Sequence, residues 1–113
     1  MYHGTHNEEL DLDNITDLCL TDDEDVAVEY GPNVFEIDLS DNAEIAYEDD
    51  VKRIAEEQGI SNPGWFFELV DERAVRDAVV AAGYNVIRYE DATEDNNTEH
   101  TTWRVLSSAA IAR

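Results

Sequence analysis

The chain predicts a single α+β domain spanning residues 1–113, on three observations. Short stretches with period-two alternation are interspersed with stretches of helical spacing, without a regular strand–helix–strand order. The length suits one domain, large enough to bury a core without a metal or disulfide. An apolar fraction of 42% is ordinary for a globular chain and excludes disorder over the whole length.

Taken in order, Tyr2 to Thr5 reads as a short strand. Residues 8–14 alternate acids with Leu10 and Leu12, as a loop or edge strand with two anchors. Leu18 to Leu20 reads as a short buried strand, which puts the Cys19 thiol inside. Thr21 then predicts a helix start, because Thr21-x-x-Glu24 has the form of a capping box. Asp22, Asp23, Glu24 and Asp25 crowd the first turn, where the helix dipole favours negative charge. Val26, Ala27 and Tyr30 give that helix its apolar face, and Gly31-Pro32 stops it. From Asn33 to Leu39, Phe35, Ile37 and Leu39 share one face of a strand and Glu36 and Asp38 the other. Residues 43–47 suggest a further short strand.

Residues 49–58 predict a helix with Val51, Ile54 and Ala55 inward and Gly59 at its end. Asn62-Pro63-Gly64 is a turn. Trp65 to Val70 is a compact apolar run, either a short helix or an insertion against the core. Asp71 to Ala82 predicts a helix on the spacing of Ala74, Val75, Ala78, Val79 and Ala82, ended by Gly83. Tyr84 to Tyr89 predicts a strand, residues 90–99 a polar loop, and Thr101 to Leu106 the last strand. Ser107 to Ile111 is a tight turn that returns Ile111 to the core.

Charge is the unusual feature. There are 28 acids against 7 bases, a net charge of −21, and 17 of the acids precede Lys52, the first basic residue. Such a surface repels nucleic-acid phosphates and anionic membranes and attracts basic surfaces. It suits a salt-adapted protein, since Lys52 is the single lysine, or one that imitates nucleic acid. Cys19 stands alone, which excludes an internal disulfide or a cysteine metal site. No run is long enough to span a membrane and no signal peptide is visible, so a cytoplasmic location is expected. Asp11, Asp13 and Asp17 are spaced loosely like a calcium loop but lack its glycine and terminal glutamate.

Four segments together resemble the ADP-ribosyltransferase superfamily, in its diphtheria-toxin-like and poly(ADP-ribose) polymerase-like branch and its small phage or bacterial members. Tyr2-His3-Gly4-Thr5 is similar to the first motif and Thr21 to Tyr30 to the second. Val34 to Leu39 resembles the strand that follows. Gly83 to Tyr89 and Trp103 to Leu106, with Ile111, look like the closing strands. The resemblance implies a split antiparallel sheet with a few short helices, and NAD as substrate. It implies that His3 holds a ribose hydroxyl, that Gly4 lets the backbone approach the nicotinamide amide, that Tyr30 stacks on its ring, and that Thr5 belongs to the same cofactor-binding set. Only a residue without a Cβ permits the close approach expected at Gly4.

The third motif departs from the family. Its glutamate falls nine residues before the terminal aliphatic, and counting back from Ile111 reaches Thr102. A threonine cannot supply the charge that stabilises a sugar cation. Glu94 and Glu99, in the adjoining loop, are therefore the candidate acids, with His100 a candidate base. The function implied is mono-ADP-ribosyl transfer to a protein partner, as a phage-encoded antagonist of host defence. The charge points to an alternative: a non-enzymatic inhibitor of anti-CRISPR or anti-restriction type, occupying a basic nucleic-acid-binding complex. Its carboxylates would be Asp22, Asp23, Glu24, Asp25, Glu48, Asp49 and Asp50. Direct binding to nucleic acid or membrane is not expected in either case, nor is a metal.

Overall fold

The computed structural model describes residues 1–61, 64–92 and 99–112. Six strands are present among them: β1 (Tyr2–Thr5), β2 (Leu18–Thr21), β3 (Asn33–Glu36), β4 (Ile45–Ala46), β5 (Val86–Ala92) and β6 (Glu99–Val105). They form one sheet in the order β3-β1-β2-β6-β5-β4. Four helices accompany it: α1 (Glu24–Tyr30), α2 (Glu48–Glu57), α3 (Phe66–Asp71) and α4 (Arg73–Ala81). A 3-10 turn at Ser108–Ala110 brings Ile111 into a bridge with Leu39, as the sequence predicts. The α+β class holds, but the sheet is mixed rather than wholly antiparallel, because β4 runs parallel to β5.

Period two along the strands decides what each face carries. Leu18 and Leu20 of β2 oppose Val105 and Trp103 of β6, and Val86 of β5 also opposes Val105. These residues build one core with Ile37, Ala110 and Ile111. The alternate residues point to the other face. There Ala46, Ile87 and Tyr89 pack beneath α2, α3 and α4, against Val51, Ile54, Leu69, Val75 and Val79. This second core covers only the β4–β5 side of its face. Towards β2 the same face carries Cys19, Thr21, Arg104, Thr102 and His100, and becomes polar.

Several boundaries differ from the expectation, each for a local reason. Helix α1 is capped by Asp23, whose Oδ1 accepts from the Asp25 amide at 3.0 Å, and not by Thr21. Thr21 is still paired in β2, opposite Thr102, and its Oγ1 accepts from the Asp23 amide at 3.3 Å. Strand β3 stops at Glu36, although the alternation continues to a buried Ile37. Helix α2 starts one residue early, with Asp50 accepting from the Tyr47 amide at 3.0 Å. The helix predicted from Asp71 to Ala82 is α4, starting two residues later at Arg73. The apolar run before it takes its short-helix alternative as α3, with extended backbone at Glu72 as the break between them. Arg76 stabilises the break by donating Nη1 to the Val70 and Asp71 carbonyls, at 2.9 and 2.7 Å. Carbonyls at a helix end need such partners.

The largest correction concerns the predicted polar loop at 90–99. Strand β5 continues to Ala92 and β6 begins at Glu99, so Asp91 and His100 are ladder partners. Glu94 lies outside the described residues.

Candidate functional site

Strand β1 joins β3 over four residue pairs, but pairs with β2 only at Tyr2 and Thr21. Beyond Tyr2 the sheet opens, and helix α1 packs beside the opening. The result is a cleft of about 470 Å³, walled by β1 and α1, floored by β2, β6 and β5, and bounded opposite by Phe67 and Asp71 of α3.

His3 sits at the split. Its Nδ1 lies 2.8 Å from the Cys19 carbonyl, across the gap between β1 and β2. A carbonyl only accepts, so Nδ1 carries a proton, and the tautomer with that proton alone presents Nε2 as an acceptor. An acceptor at that place suits a hydroxyl donor. Tyr30 closes α1 and is 48% exposed, so it is not an ordinary core tyrosine. Its hydroxyl lies 3.4 Å from His100 Nε2, and the two rings meet edge to face with centroids 6.1 Å apart.

Gly4 also lines the cleft, and its missing Cβ makes room for a protein neighbour. A Cβ there would stand 1.7 Å from the Ala27 carbonyl oxygen of α1. Gly31 has the reciprocal role, since a Cβ on it would stand 2.2 Å from the Thr5 carbonyl carbon. Gly31 has extended backbone, φ 172°, so close approach and not a left-handed turn is what requires it. These two glycines let strand and helix backbones touch, and that contact makes the cleft wall. Thr5 does not line the cleft; its Oγ1 accepts from the Asn7 amide at 3.1 Å.

Parity along β6 decides which of its residues reach the cleft. Thr102 is buried and lines the cleft, as does His100. Glu99 is one residue out of phase, so its side chain leaves on the other face. It lines a neighbouring depression at the strand ends with Asp22, Asp23, Glu24, Glu90 and Thr101. The described carboxylates lining the cleft itself are Glu29, Asp71 and Asp91. Sequence reading missed Asp91 because a polar loop hides a strand. The available signal was Thr101-Thr102, β-branched residues continuing the ladder inward from Glu99.

Beneath the cleft lies an ion cluster that spacing alone did not reveal. Arg104 is buried, and its Nε and Nη2 donate to the two Asp17 oxygens at 2.6 and 2.8 Å. Its Nη1 donates to Asp71 Oδ1 at 2.7 Å. Arg76 Nε stands 3.7 Å from Asp17 on the other side. Burial works against the Arg104 charge, but the hydrogen bonds to Asp17 and then Asp71 outweigh it, so the guanidinium holds its proton more firmly than usual.

Cys19 departs from the buried thiol expected. Leu18 and Leu20 face the core, so the residue between them faces the cleft and is exposed. It nevertheless lies on a concave floor surrounded by protein, and desolvation there raises its pKa to about 11, with Arg104 opposing.

The acidic helix starts do not form one row. Helix α1 packs at the β1 end of the sheet and α2 at the β4 end. Glu48, Asp49 and Asp50 therefore sit apart from the Asp22 group, and Asp50 is engaged in its cap. Asp25 does not line the depression that holds Asp22 and Asp23. Among the described residues no group of His, Cys, Asp and Glu could hold a metal ion, and no helix is long and apolar enough to cross a membrane. Comparison of the chain with protein-family models, with curated proteins and with solved structures gives no match.

Proposed function

We propose that the cleft binds the nicotinamide–ribose end of NAD and that the protein is an ADP-ribosyltransferase-like enzyme that modifies a protein partner. One observation carries this reading: His3 and Gly4 of β1 and Tyr30 of α1, far apart in the chain, line a single cleft with Thr102. In this chemistry the bond from ribose C1′ to the pyridinium nitrogen breaks, and the electron pair leaves on neutral nicotinamide. A nucleophilic side chain of the partner bonds to C1′ and gives up its proton. His3 Nε2 accepts from a ribose hydroxyl, and the Tyr30 ring faces the flat cation. The sugar cation needs a carboxylate. Asp91 takes that role in place of Thr102, because it stands opposite His100 in the ladder and lines the cleft. Calorimetry with millimolar NAD tests the reading: heat is expected for the native protein and is lost in His3→Ala and Tyr30→Ala. Absence of heat with the native protein removes it. A gain of one ADP-ribose unit on a partner, read by mass spectrometry, tests transfer itself.

A second reading is favoured by a different observation. Asp22, Asp23, Glu24, Glu90 and Glu99 converge from three parts of the chain on one depression at the strand ends. As an inhibitor, the protein would seat this face on a basic nucleic-acid-binding surface, with affinity that falls as salt rises. Charge reversal at Asp22, Asp23 and Glu99 that left inhibition intact would acquit the face.

A further inference from the structure

We propose that the cleft selects a phosphate-free N-ribosyl pyridinium cation over NAD itself, so that nicotinamide riboside is its preferred small-molecule ligand. The inference rests on the reading above that the cleft takes a nicotinamide–ribose end, and it names the ligand this cleft binds best, a competitor of NAD that has no ADP-ribose to transfer. Among the described residues lining the cleft, Arg104 is the one cation. Its Nε, Nη1 and Nη2 are all given to Asp17 and Asp71. A diphosphate could take this guanidinium only by displacing two carboxylates into its own neighbourhood. Arg76 behind it is likewise engaged, with Asp17 and with the Val70 and Asp71 carbonyls. The two arginines and two aspartates balance one another, so the cluster has no positive charge to spare.

What surrounds that balanced cluster is negative. Asp91 lines the cleft, and among the described residues its Oδ1 accepts from the neutral Ala92 amide. The five-carboxylate depression adjoins the cleft, sharing Tyr2 and His100 with it. Low-dielectric walls concentrate such a field inside a cleft. Tyr30 and Phe67 add aromatic faces, which attract a flat cation and give nothing to a phosphate. NAD carries two phosphates against one pyridinium charge and is a net anion, whereas nicotinamide riboside is a net cation. The same ring and ribose therefore meet opposite forces depending on what is attached.

The experiment is calorimetric titration of the native protein with nicotinamide riboside and with NAD, across the KCl range where circular dichroism shows an unchanged fold. At the lowest salt, nicotinamide riboside is expected to bind roughly tenfold more tightly. Rising KCl should weaken the riboside and strengthen NAD, because screening reduces an attraction in one case and a repulsion in the other. Asp91→Asn should narrow the gap between the two. Tighter binding of NAD at low salt overturns the selectivity while leaving the NAD reading in place. If neither ligand binds at any salt, the NAD reading falls and takes the selectivity with it.

Discussion

Adding one methyl group at Gly4 separates a binding role for that glycine from a packing role. The Cβ of Gly4→Ala would sit 1.7 Å from the Ala27 carbonyl oxygen, half the distance of an ordinary 3.4 Å contact. Both partners are backbone, one in a strand hydrogen-bonded to β3 and the other inside α1, so no side chain can swing aside. Relief requires α1 to move away from β1, and Ala27 and the adjacent Val26 are fully buried. Overpacking of a close-packed interior costs about 1–3 kcal/mol, and backbone against backbone belongs at or above the top of that range. We expect a loss of about 3–4 kcal/mol, which for a domain of this size lowers Tm by roughly 12–20 °C. The assay is chemical and thermal unfolding of the native and Gly4→Ala proteins without ligand, at one fixed salt concentration. Gly31→Ala should act in the same direction through Thr5. A Gly4→Ala protein of native stability that had lost only NAD binding would refute the packing argument and return Gly4 to the ligand role the resemblance implies.

Other perturbations test the neighbouring features. Arg104→Met leaves Asp17 and Asp71 facing each other without their shared cation. Breaking a buried ion pair costs about 3–5 kcal/mol, but Asp71 is 60% exposed, so about 2–3 kcal/mol is expected in urea unfolding. A neutral result would mean that water already screens the cluster. Cys19, with its pKa raised to about 11 from 9.0, should be alkylated at pH 8 at least tenfold more slowly than a free thiol. Its thiol is the favoured form in the folded state, so that contribution to stability is complete below pH 9 and declines as pH rises towards 11. Rapid labelling at pH 8 would place the thiol in a better-solvated setting. Under the proposed function, Thr102→Glu puts a carboxylate on the cleft floor where the resembled family carries one, and a gain in NAD turnover is expected, read as released nicotinamide. Loss of turnover with native stability would count against that position. At a net charge of −21, Tm should rise between 0.1 and 2 M KCl as self-repulsion is screened. A flat response would show that the carboxylates are too dispersed to strain the fold.

The amino-acid order by itself determined the local features. Short strand-like runs marked β1 and β2, alternation marked β3, helical spacing marked α2 and α4, and the return of Ile111 to the core followed from its place after a tight turn. These depend on contacts within a few residues, which a linear pattern records. The tertiary structure decided the site. Whether Glu99 or His100 faces the cleft depends on the phase of a strand pairing, and one residue of phase exchanges the two faces. Gly4 and Ala27 are brought together by the packing of α1 on β1, which neither segment encodes alone. Asp17, Asp71 and Arg104 lie 87 and 33 residues apart in the chain, and only the fold brings their charges within hydrogen-bond distance. Local propensity acts over a turn or a strand, whereas a cleft is made where segments meet, and its charge belongs to all of them at once.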